Sequence, residues 1–237
     1  MQSGNKTESN KPVCVGIIMD GNRRWAKEHN LFVFEGHMAG YKKLKEVLKW
    51  SKEAGIRYLI VYAFSTENWK RKKDEVDYLM NLFRFMLSAE KESLRQDKIR
   101  VKCIGDIARL PKDLQKNITE TERETETFDG LTLVACLSYG GRDEILHAIK
   151  KIAEEKKPLE IEKMTEEDVS QFLYTDGIPE PDLILRTSGE MRLSGFLPWQ
   201  SIYSELFFTK TYWPDFTREE FDQILADFAG RKRRMGK

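Results

Sequence analysis

Short apolar segments alternate with longer amphipathic stretches along nearly the whole chain, and this alternation restricts the fold more than any other feature. The apolar segments predict β-strands at Val13–Met19, Arg57–Phe64, Arg100–Ile104, Leu131–Leu137, Leu183–Arg186 and Leu206–Phe208. Helical periodicity marks Ala39–Ala54, Asp74–Gln96, Lys112–Glu126, Arg142–Glu154, Glu166–Tyr174 and Arg218–Phe228. Strand–helix alternation predicts a mostly parallel sheet flanked by helices. Ligands of such sheets bind at the carboxyl ends of the strands.

Length and charge narrow the class of protein further. The 237 residues contain no repeat or linker, so we expect one folded domain over 13–228, between a disordered tail at 1–12 and a basic end at 229–237. The net charge of +1 gives no global attraction to nucleic acid, so no nucleic-acid partner is expected. No apolar run approaches the roughly 18 residues that span a bilayer.

The three cysteines indicate the compartment. Cys14, Cys103 and Cys136 lie in apolar segments and no pair has metal-ligand spacing. They are interpreted as small buried side chains in a reducing environment, which favours a cytoplasmic location.

The first apolar segment ends in Met19-Asp20-Gly21-Asn22-Arg23-Arg24-Trp25. Asp20 would lie at the mouth of the sheet, where Gly21 permits a tight turn. Free backbone N–H groups at the start of a helix, together with two guanidinium groups, would form an anion site. Asp20 beside it is placed to hold a divalent cation that bridges to phosphate oxygens. An ordinary strand-to-helix cap would favour the same residue types.

Polar groups also surround the next predicted helix and strand. Gly36-His37 precedes the helix at Ala39–Ala54, where a histidine can donate to a phosphate, although a lone histidine is more often structural. The second strand leads into Ser65-Thr66-Glu67-Asn68-Trp69-Lys70-Arg71. Ser65 and Asn68 are candidates to relay a proton or orient a substrate, and Trp69 to pack beside an apolar chain. A capping box is the alternative explanation.

The segment 182–208 is the richest in hydrogen-bond donors. Arg186 and Arg192 follow one short predicted strand, in the company of Thr187, Ser188 and Ser194. This combination suits a diphosphate, whose oxygens need several charge-assisted donors at once. Glu205, past a second turn, is either a second metal ligand or a solvated carboxylate at a strand edge.

Together these segments resemble the cis-prenyltransferase (undecaprenyl diphosphate synthase) family. The matching pieces are Met19–Ala26, Gly36–Gly40, Tyr62–Trp69, Tyr139–Arg142, Arg186–Glu205 and Trp213–Phe216. The resemblance implies an α/β domain with a six-stranded, largely parallel sheet, an elongated hydrophobic tunnel and a homodimer. It also implies Mg²⁺-dependent condensation of isopentenyl diphosphate with an allylic prenyl diphosphate, which gives a medium- or long-chain polyprenyl diphosphate.

The resemblance assigns roles to individual residues. Asp20 matches the aspartate that carries Mg²⁺ to the allylic diphosphate, and Glu205 matches an acidic position near the metal that is often reached across the dimer. The allylic diphosphate would be held by Gly21, Asn22, Arg23, Arg24 and His37. Arg186, Arg192 and Ser194 would hold the diphosphate of isopentenyl diphosphate. Ser65 and Asn68 match residues near the condensation point, and the predicted substrate-binding set is completed by Trp25, Trp69 and Arg71.

Three points stay open in this assignment. The proton acceptor is Asn68, Ser65, a water or a phosphate oxygen. Val33 stands where many bacterial members carry an arginine, a contact that Arg23 is placed to replace. Product length is undetermined, although large residues able to close the end of a tunnel are Leu82, Phe83, Phe85, Met86 and Leu131.

The basic C-terminus allows two interpretations. Arg231-Lys232-Arg233-Arg234-Met235-Gly236-Lys237 would ordinarily indicate a solvated end or a nucleic-acid patch. Arg234-Met235-Gly236 resembles the Arg-x-Gly that folds into the partner subunit's site in this family, so Arg234 and Gly236 are predicted to bind substrate there.

Two rival functions are considered. One is a non-catalytic partner subunit of a cis-prenyltransferase complex, a class that typically loses the aspartate and the diphosphate arginines retained here. The other is a phosphohydrolase with Asp20 as nucleophile. The main interpretation also allows peripheral contact with a membrane for product release.

Overall fold

Six strands form one sheet in the computed structural model, which describes residues 11–231. They are β1 Cys14–Ile18, β2 Tyr58–Ser65, β3 Arg100–Ile104, β4 Thr132–Tyr139, β5 Leu183–Arg186 and β6 Glu205–Phe208. The order across the sheet is β3-β4-β2-β1-β5-β6, and every neighbouring pair is parallel. The predicted α/β class and the six-stranded sheet are confirmed, and the sheet is parallel throughout.

Helices connect and cover the strands. They are α1 Asn22–Glu28, α2 Val33–Ala54, α3 Lys73–Ala89, α4 Lys91–Asp97, α5 Lys112–Thr125, α6 Gly141–Glu155, α7 Pro158–Ile161, α8 Glu166–Ser170 and α9 Arg218–Gly230. Short 3₁₀ turns occupy Thr66–Lys70, Ile107–Arg109 and Trp213–Asp215. Within residues 11–231, no helix combines the length and apolar character that crossing a membrane requires.

Three helix predictions were wrong in their limits. Helix α2 begins at Val33, because the Glu35 side chain accepts from the Phe32 backbone N–H at 2.8 Å and caps the helix there. His37 therefore lies inside the helix. The predicted helix Asp74–Gln96 is two helices separated at Glu90, whose backbone has φ −94° and ψ 1°. The stretch predicted at Glu166–Tyr174 is helical only to Ser170.

The sheet buries both of its faces, as expected for a parallel sheet covered on two sides. Side chains from all six strands pack on one face against α2, α4 and α9 around Trp213 and Phe216. The opposite face is covered by Phe196, Leu197 and Tyr174. Burial raises the pKa of the three thiols, all of which are free, so they stay protonated.

Helix α1 packs against α2 through two glycines. A Cβ at Gly36 would overlap the carbonyl oxygen of Asn22, and a Cβ at Gly40 would overlap its side-chain amide. The close approach fixes the start of α1, and therefore the residues just after β1, against α2.

Gly36→Ala should lower the free energy of unfolding by about 1–3 kcal/mol, because the added methyl group overlaps backbone that is already packed. Gly230→Ala is the matched control, since a Cβ there meets nothing within 4 Å and also lies in a helix. Helix propensity alone would make both changes stabilising. Chemical denaturation of the two variants measures the difference, and equal effects would contradict the packing argument.

Candidate active site

The side chain of Asp20 lies where β1 and β5 end side by side. One carboxylate oxygen accepts from Arg186 Nη2 at 2.8 Å and the other lies 3.2 Å from Arg24 Nη2. Arg186 is the last residue of β5 and its side chain is 6% exposed, whereas that of Asp20 is 28% exposed. Arg186 also donates to Ser194 Oγ at 2.8 Å and to the carbonyl oxygen of Arg192. This network, centred on Arg186, connects the ends of β1 and β5 with the loop that follows β5.

Two polar clefts meet at Asp20. The central cleft, of about 580 Å³, is lined by residues that include Ser65, Asn68, Arg142, Arg186 and Ser194. The N-terminal cleft, of about 710 Å³, is lined by residues that include Gly21, Asn22, Arg23, Arg24 and His37. Met19, Asp20 and Arg71 line both clefts. The arrangement brings two regions lined by guanidinium groups together at one carboxylate.

Glu75, in the first turn of α3, contacts three side chains that line the N-terminal cleft. Its Oε1 accepts from Arg71 Nη1 at 2.9 Å, contacts His37 Nε2 at 3.2 Å and lies 3.6 Å from Arg23 Nε. Burial lowers the pKa of His37, which keeps the imidazole neutral near pH 7 despite the opposing effect of Glu75. The motifs did not identify Glu75, because it follows a run of lysine and arginine and resembles ordinary first-turn acidity.

The carboxyl end of β2 is irregular. Its register against β4 shifts twice between Tyr62 and Ser65. Such bulges turn side chains toward sites at the end of a sheet. The Ser65 backbone N–H donates to Asn68 Oδ1 at 3.1 Å, so the capping box is present and both residues also line the central cleft.

Four predicted site residues lie outside the linings of both clefts. Trp25 donates to Asp215 Oδ1 at 2.7 Å, and Trp69 donates to Ser138 Oγ at 2.9 Å while packing on Phe64. The Arg192 side chain pairs with Glu190, which also pairs with Arg24 at 3.2 Å. Both tryptophans are anchored in the fold by their indole N–H groups.

Glu205 is the fourth predicted site residue outside both cleft linings. It is the first residue of β6 and lies opposite Leu183, whereas Arg186 lies at the other end of β5. At a rise of about 3.3 Å per residue, Glu205 is therefore about 10 Å from the edge of the sheet where Arg186 lies. Its carboxylate pairs with Arg231, whose guanidinium lies 4.1 Å above the Phe207 ring. A cation shared by Asp20 and Glu205 is therefore not built within one chain. Arg234 and Gly236 lie outside the described residues.

The residues around Asp20 are compatible with only one way of coordinating Mg²⁺. Across residues 11–231, no three acidic, histidine or cysteine side chains gather to hold a metal. Asp20 is a single carboxylate beside guanidinium groups. That donor set fits Mg²⁺ held by one carboxylate and substrate phosphates, which is the usual arrangement for this ion, and does not fit a cage made by the protein alone.

A buried hydrogen-bond network of Tyr139, Glu144 and Gln200 lies next to the central cleft. The Glu144 side chain is fully buried, and its Oε2 accepts from Tyr139 Oη at 2.6 Å and from Gln200 Nε2 at 3.1 Å. Gln200 ends the segment that carries Ser194, and the Gly141 N–H donates to the Gly195 carbonyl oxygen at 2.8 Å. Burial raises the pKa of Glu144 above its ordinary value of 4.5.

An apolar cavity of about 140 Å³ lies between the sheet and the helices α2, α3 and α4. Val61 and Ala63 of β2, Leu133 and Ala135 of β4, and Phe83 and Met86 of α3 are among its lining residues. Of the residues predicted to close a tunnel, Phe83 and Met86 line this cavity, whereas Leu82, Phe85 and Leu131 do not. Helix α2 contributes Tyr41, one turn after His37 of the N-terminal cleft.

The fold and the site define an α/β protein with two cation-rich clefts at the carboxyl edge of a parallel sheet and an apolar cavity behind them. The sequence model of the prenyltransferase family, described as undecaprenyl diphosphate synthase, matches residues 18–236. An isoprenyl transferase of Thermotoga maritima is 48% identical over 225 residues, which cover 95% of this chain and 97% of the relative.

Two further similar proteins indicate the same family. The tritrans,polycis-undecaprenyl-diphosphate synthase (geranylgeranyl-diphosphate specific) of Pyrococcus horikoshii is 45% identical over 95% of this chain and 87% of its own. Lavandulyl diphosphate synthase from Lavandula x intermedia, solved in complex with dimethylallyl diphosphate, matches with a TM-score of 0.91 and 35% identity, over 97% of this chain and 100% of that chain. The chain belongs to the cis-prenyltransferase family and is a prenyltransferase.

The raised pKa of Glu144 predicts a pH-dependent stability. Because the folded state holds this proton more tightly than the unfolded state, the stabilisation is full below pH 4.5 and is lost as the pH rises through the folded-state pKa. Glu144→Gln, which keeps a neutral side chain at every pH, should remove this loss. Urea denaturation from pH 4 to pH 8 measures it, and parallel pH curves for wild type and variant would contradict a raised pKa.

Proposed function

We propose that the protein lengthens an allylic prenyl diphosphate with isopentenyl diphosphate in a Mg²⁺-dependent reaction, and that the new double bonds are cis. The observation that carries this proposal is the junction of two cation-rich clefts at Asp20 and Arg71. A condensation of two diphosphates needs two such regions, with their reacting carbons held together between them.

The N-terminal cleft is proposed to bind the allylic primer. Arg23, Arg24 and Arg71 give it three guanidinium groups, which suit a leaving diphosphate. Arg23 and Val33 line the same cleft, so Arg23 can contribute the cation that Val33 lacks. His37, neutral by its lowered pKa, has one N–H, which faces Glu75 at 3.2 Å and would reach a phosphate oxygen by exchanging that contact.

The central cleft is proposed to bind isopentenyl diphosphate. Arg186 and Ser194 line it and are already joined by a hydrogen bond. Arg142, at the start of α6, adds a third donor that the motifs contain but that was not assigned to the site. Arg192 would join them by exchanging its bond to Glu190 for one to the substrate.

The chemistry follows from these positions. Breaking the allylic C–O bond leaves a diphosphate and an electron-poor carbon, and the guanidinium groups stabilise the charge of the departing group. Mg²⁺ held by Asp20 would neutralise further phosphate charge when bound. The double bond of isopentenyl diphosphate attacks the electron-poor carbon, and a proton then leaves. Ser65 and Asn68 line the central cleft, where they are placed to accept it or to orient a water or phosphate oxygen.

The apolar cavity is proposed to be the start of a tunnel for the growing chain. His37 lines the N-terminal cleft, and Tyr41, Leu44 and Leu48 continue along the same face of α2 into the cavity. A primer whose diphosphate lies beside His37 would extend its hydrocarbon along this face. We propose a medium- or long-chain product, made in the cytoplasm by an enzyme that contacts a membrane peripherally to release it.

Asp20→Asn should reduce the rate of elongation by about 100-fold or more, because it removes the carboxylate that would hold Mg²⁺ at the reacting diphosphate. The fold should persist, since the amide oxygen of asparagine can still accept from Arg186. The assay supplies Mg²⁺, labelled isopentenyl diphosphate and either farnesyl or geranylgeranyl diphosphate, followed by chromatography of the products. Asp129→Asn is the control, since the Asp129 side chain is 79% exposed. A chelator should abolish elongation and Mg²⁺ should restore it.

The outcomes separate the rival functions. A ladder of polyprenyl diphosphates supports the proposal, and the preferred primer gives the largest kcat/KM. Release of phosphate without chain growth would indicate a phosphohydrolase. Elongation only after a second, different chain is added would indicate a non-catalytic partner subunit, and no elongation with any allylic primer refutes the proposal.

A homodimer with shared sites is proposed from the position of Arg231, the last described residue. Arg231 pairs with Glu205 on edge strand β6, at the end of the sheet away from Asp20 of the same chain. Exposed Ile202 and Tyr203 precede this strand. A tail that leaves from there is better placed to reach a neighbour's cleft than its own.

Co-expression of two defective chains tests this arrangement. One chain carries Asp20→Asn with its tail intact, and the other keeps Asp20 but ends at Arg231. If the tail completes the neighbour's site, each mixed dimer has one intact site, so activity should return to about a quarter of wild type. If both lesions act within one chain, no activity returns, and full activity of the shortened chain alone would also contradict the proposal.

A further inference from the structure

An exposed apolar segment, Leu31-Phe32-Val33-Phe34, lies at the opening of the N-terminal cleft. It spans the end of the loop after α1 and the first residues of α2. Leu31 and Val33 line the cleft. Phe32 is 70% exposed and Phe34 is 46% exposed, and their rings stack with 5.2 Å between centroids. The outer edge of the proposed primer site is therefore apolar and open to solvent.

Neither core packing nor helix capping accounts for these phenylalanines. Phe32 occupies the N-cap position of α2 but its side chain makes no capping hydrogen bond, and serine, threonine, aspartate or asparagine is preferred there. Within residues 11–231, neither ring belongs to a buried apolar cluster. Phe34 lies 5.6 Å from the Tyr78 ring of α3, which extends the apolar surface to a second helix. An exposed group of this kind marks an interaction surface.

The charges beside the rings identify the chemistry of the partner. Segments 23–42 and 70–78, which carry the three rings, contain eight basic and five acidic side chains, a net charge of +3, whereas the whole chain has +1. Lys27, Lys70, Lys72 and Lys73 are exposed, and their side chains form no ion pair with another described residue. Aromatic side chains next to unpaired lysines are typical of surfaces that lie on anionic lipid.

We propose that an aromatic rim, formed by Phe32, Phe34 and Tyr78 with Lys72 and Lys73, docks on an anionic membrane surface and turns the opening of the N-terminal cleft toward the bilayer. The rings enter the boundary between headgroups and acyl chains, while the lysines contact anionic headgroups. The inference names the surface of the membrane contact proposed above. It rests on that proposed function only for its purpose, which is the release of an apolar product into lipid.

Cosedimentation of the full chain with lipid vesicles tests the rim without any substrate. The wild type should bind vesicles of phosphatidylcholine mixed with phosphatidylglycerol, and salt or vesicles of phosphatidylcholine alone should weaken binding. Phe32→Ser combined with Phe34→Ser should lower the affinity for mixed vesicles about tenfold, because two apolar side chains no longer enter the lipid. Phe32→Ser alone keeps the Phe34–Tyr78 contact and should lower the affinity by a smaller factor, also if the double variant misfolds.

Two matched controls separate the rim from the rest of the surface. Leu159, on α7, is 73% exposed and lines neither polar cleft, so Leu159→Ser should leave binding unchanged. Lys72→Glu combined with Lys73→Glu should lower the affinity for mixed vesicles by about tenfold or more. The same reversal at Lys150 and Lys151, which are exposed on α6, should have little effect.

Four results would overturn the inference. They are no binding of wild type to mixed vesicles, equal binding to neutral vesicles, undiminished binding by both phenylalanine variants, and an equal loss in either control. Elongation is measured separately. A wild-type chain that binds vesicles but elongates no primer would refute the proposed function and leave the docking surface in place.

Discussion

The parallel direction of all six strands is the constraint on which the site depends. In a parallel sheet every strand delivers its carboxyl end to the same edge, so residues far apart in sequence meet there without a special loop. Asp20 follows β1 and Arg186 ends β5, and these two strands are neighbours with Ile18 opposite Arg186. The 2.8 Å ion pair between Asp20 and Arg186 is therefore a direct result of strand order. An antiparallel neighbour would have placed Arg186 at the far edge.

That ion pair also explains how cationic side chains are held in position at the edge of the sheet. A buried guanidinium needs a counter-charge, because an unpaired charge is costly to bury. Asp20 supplies it for Arg186 and shares it with the more exposed Arg24. Glu75 does the same for Arg71 and also contacts the neutral His37. Each carboxylate holds its neighbouring donors in position, so these side chains are oriented before a ligand binds.

Much of the architecture could be predicted from the sequence, and the limits of prediction have physical causes. The alternation of apolar segments located all six strands, and polar residues after strand ends identified Asp20, Ser65 and Arg186. Side-chain direction was not predictable. Trp25 and Trp69 follow strands in suitable motifs, yet their indole N–H groups bond to Asp215 and Ser138, and neither ring lines a cleft. The sequence does not show which partner an amphipathic ring will reach.

Glu205 illustrates a different limit. Its motif matched, but position along a strand decides which edge of the sheet a residue occupies, and Glu205 begins β6 whereas Arg186 ends β5. A role beside Asp20 therefore requires a second chain. Backbone pairing fixes the strands, and with them the relative positions of Asp20 and Arg186, so the floor of the central cleft is set by strand register and not by the conformation of its loops.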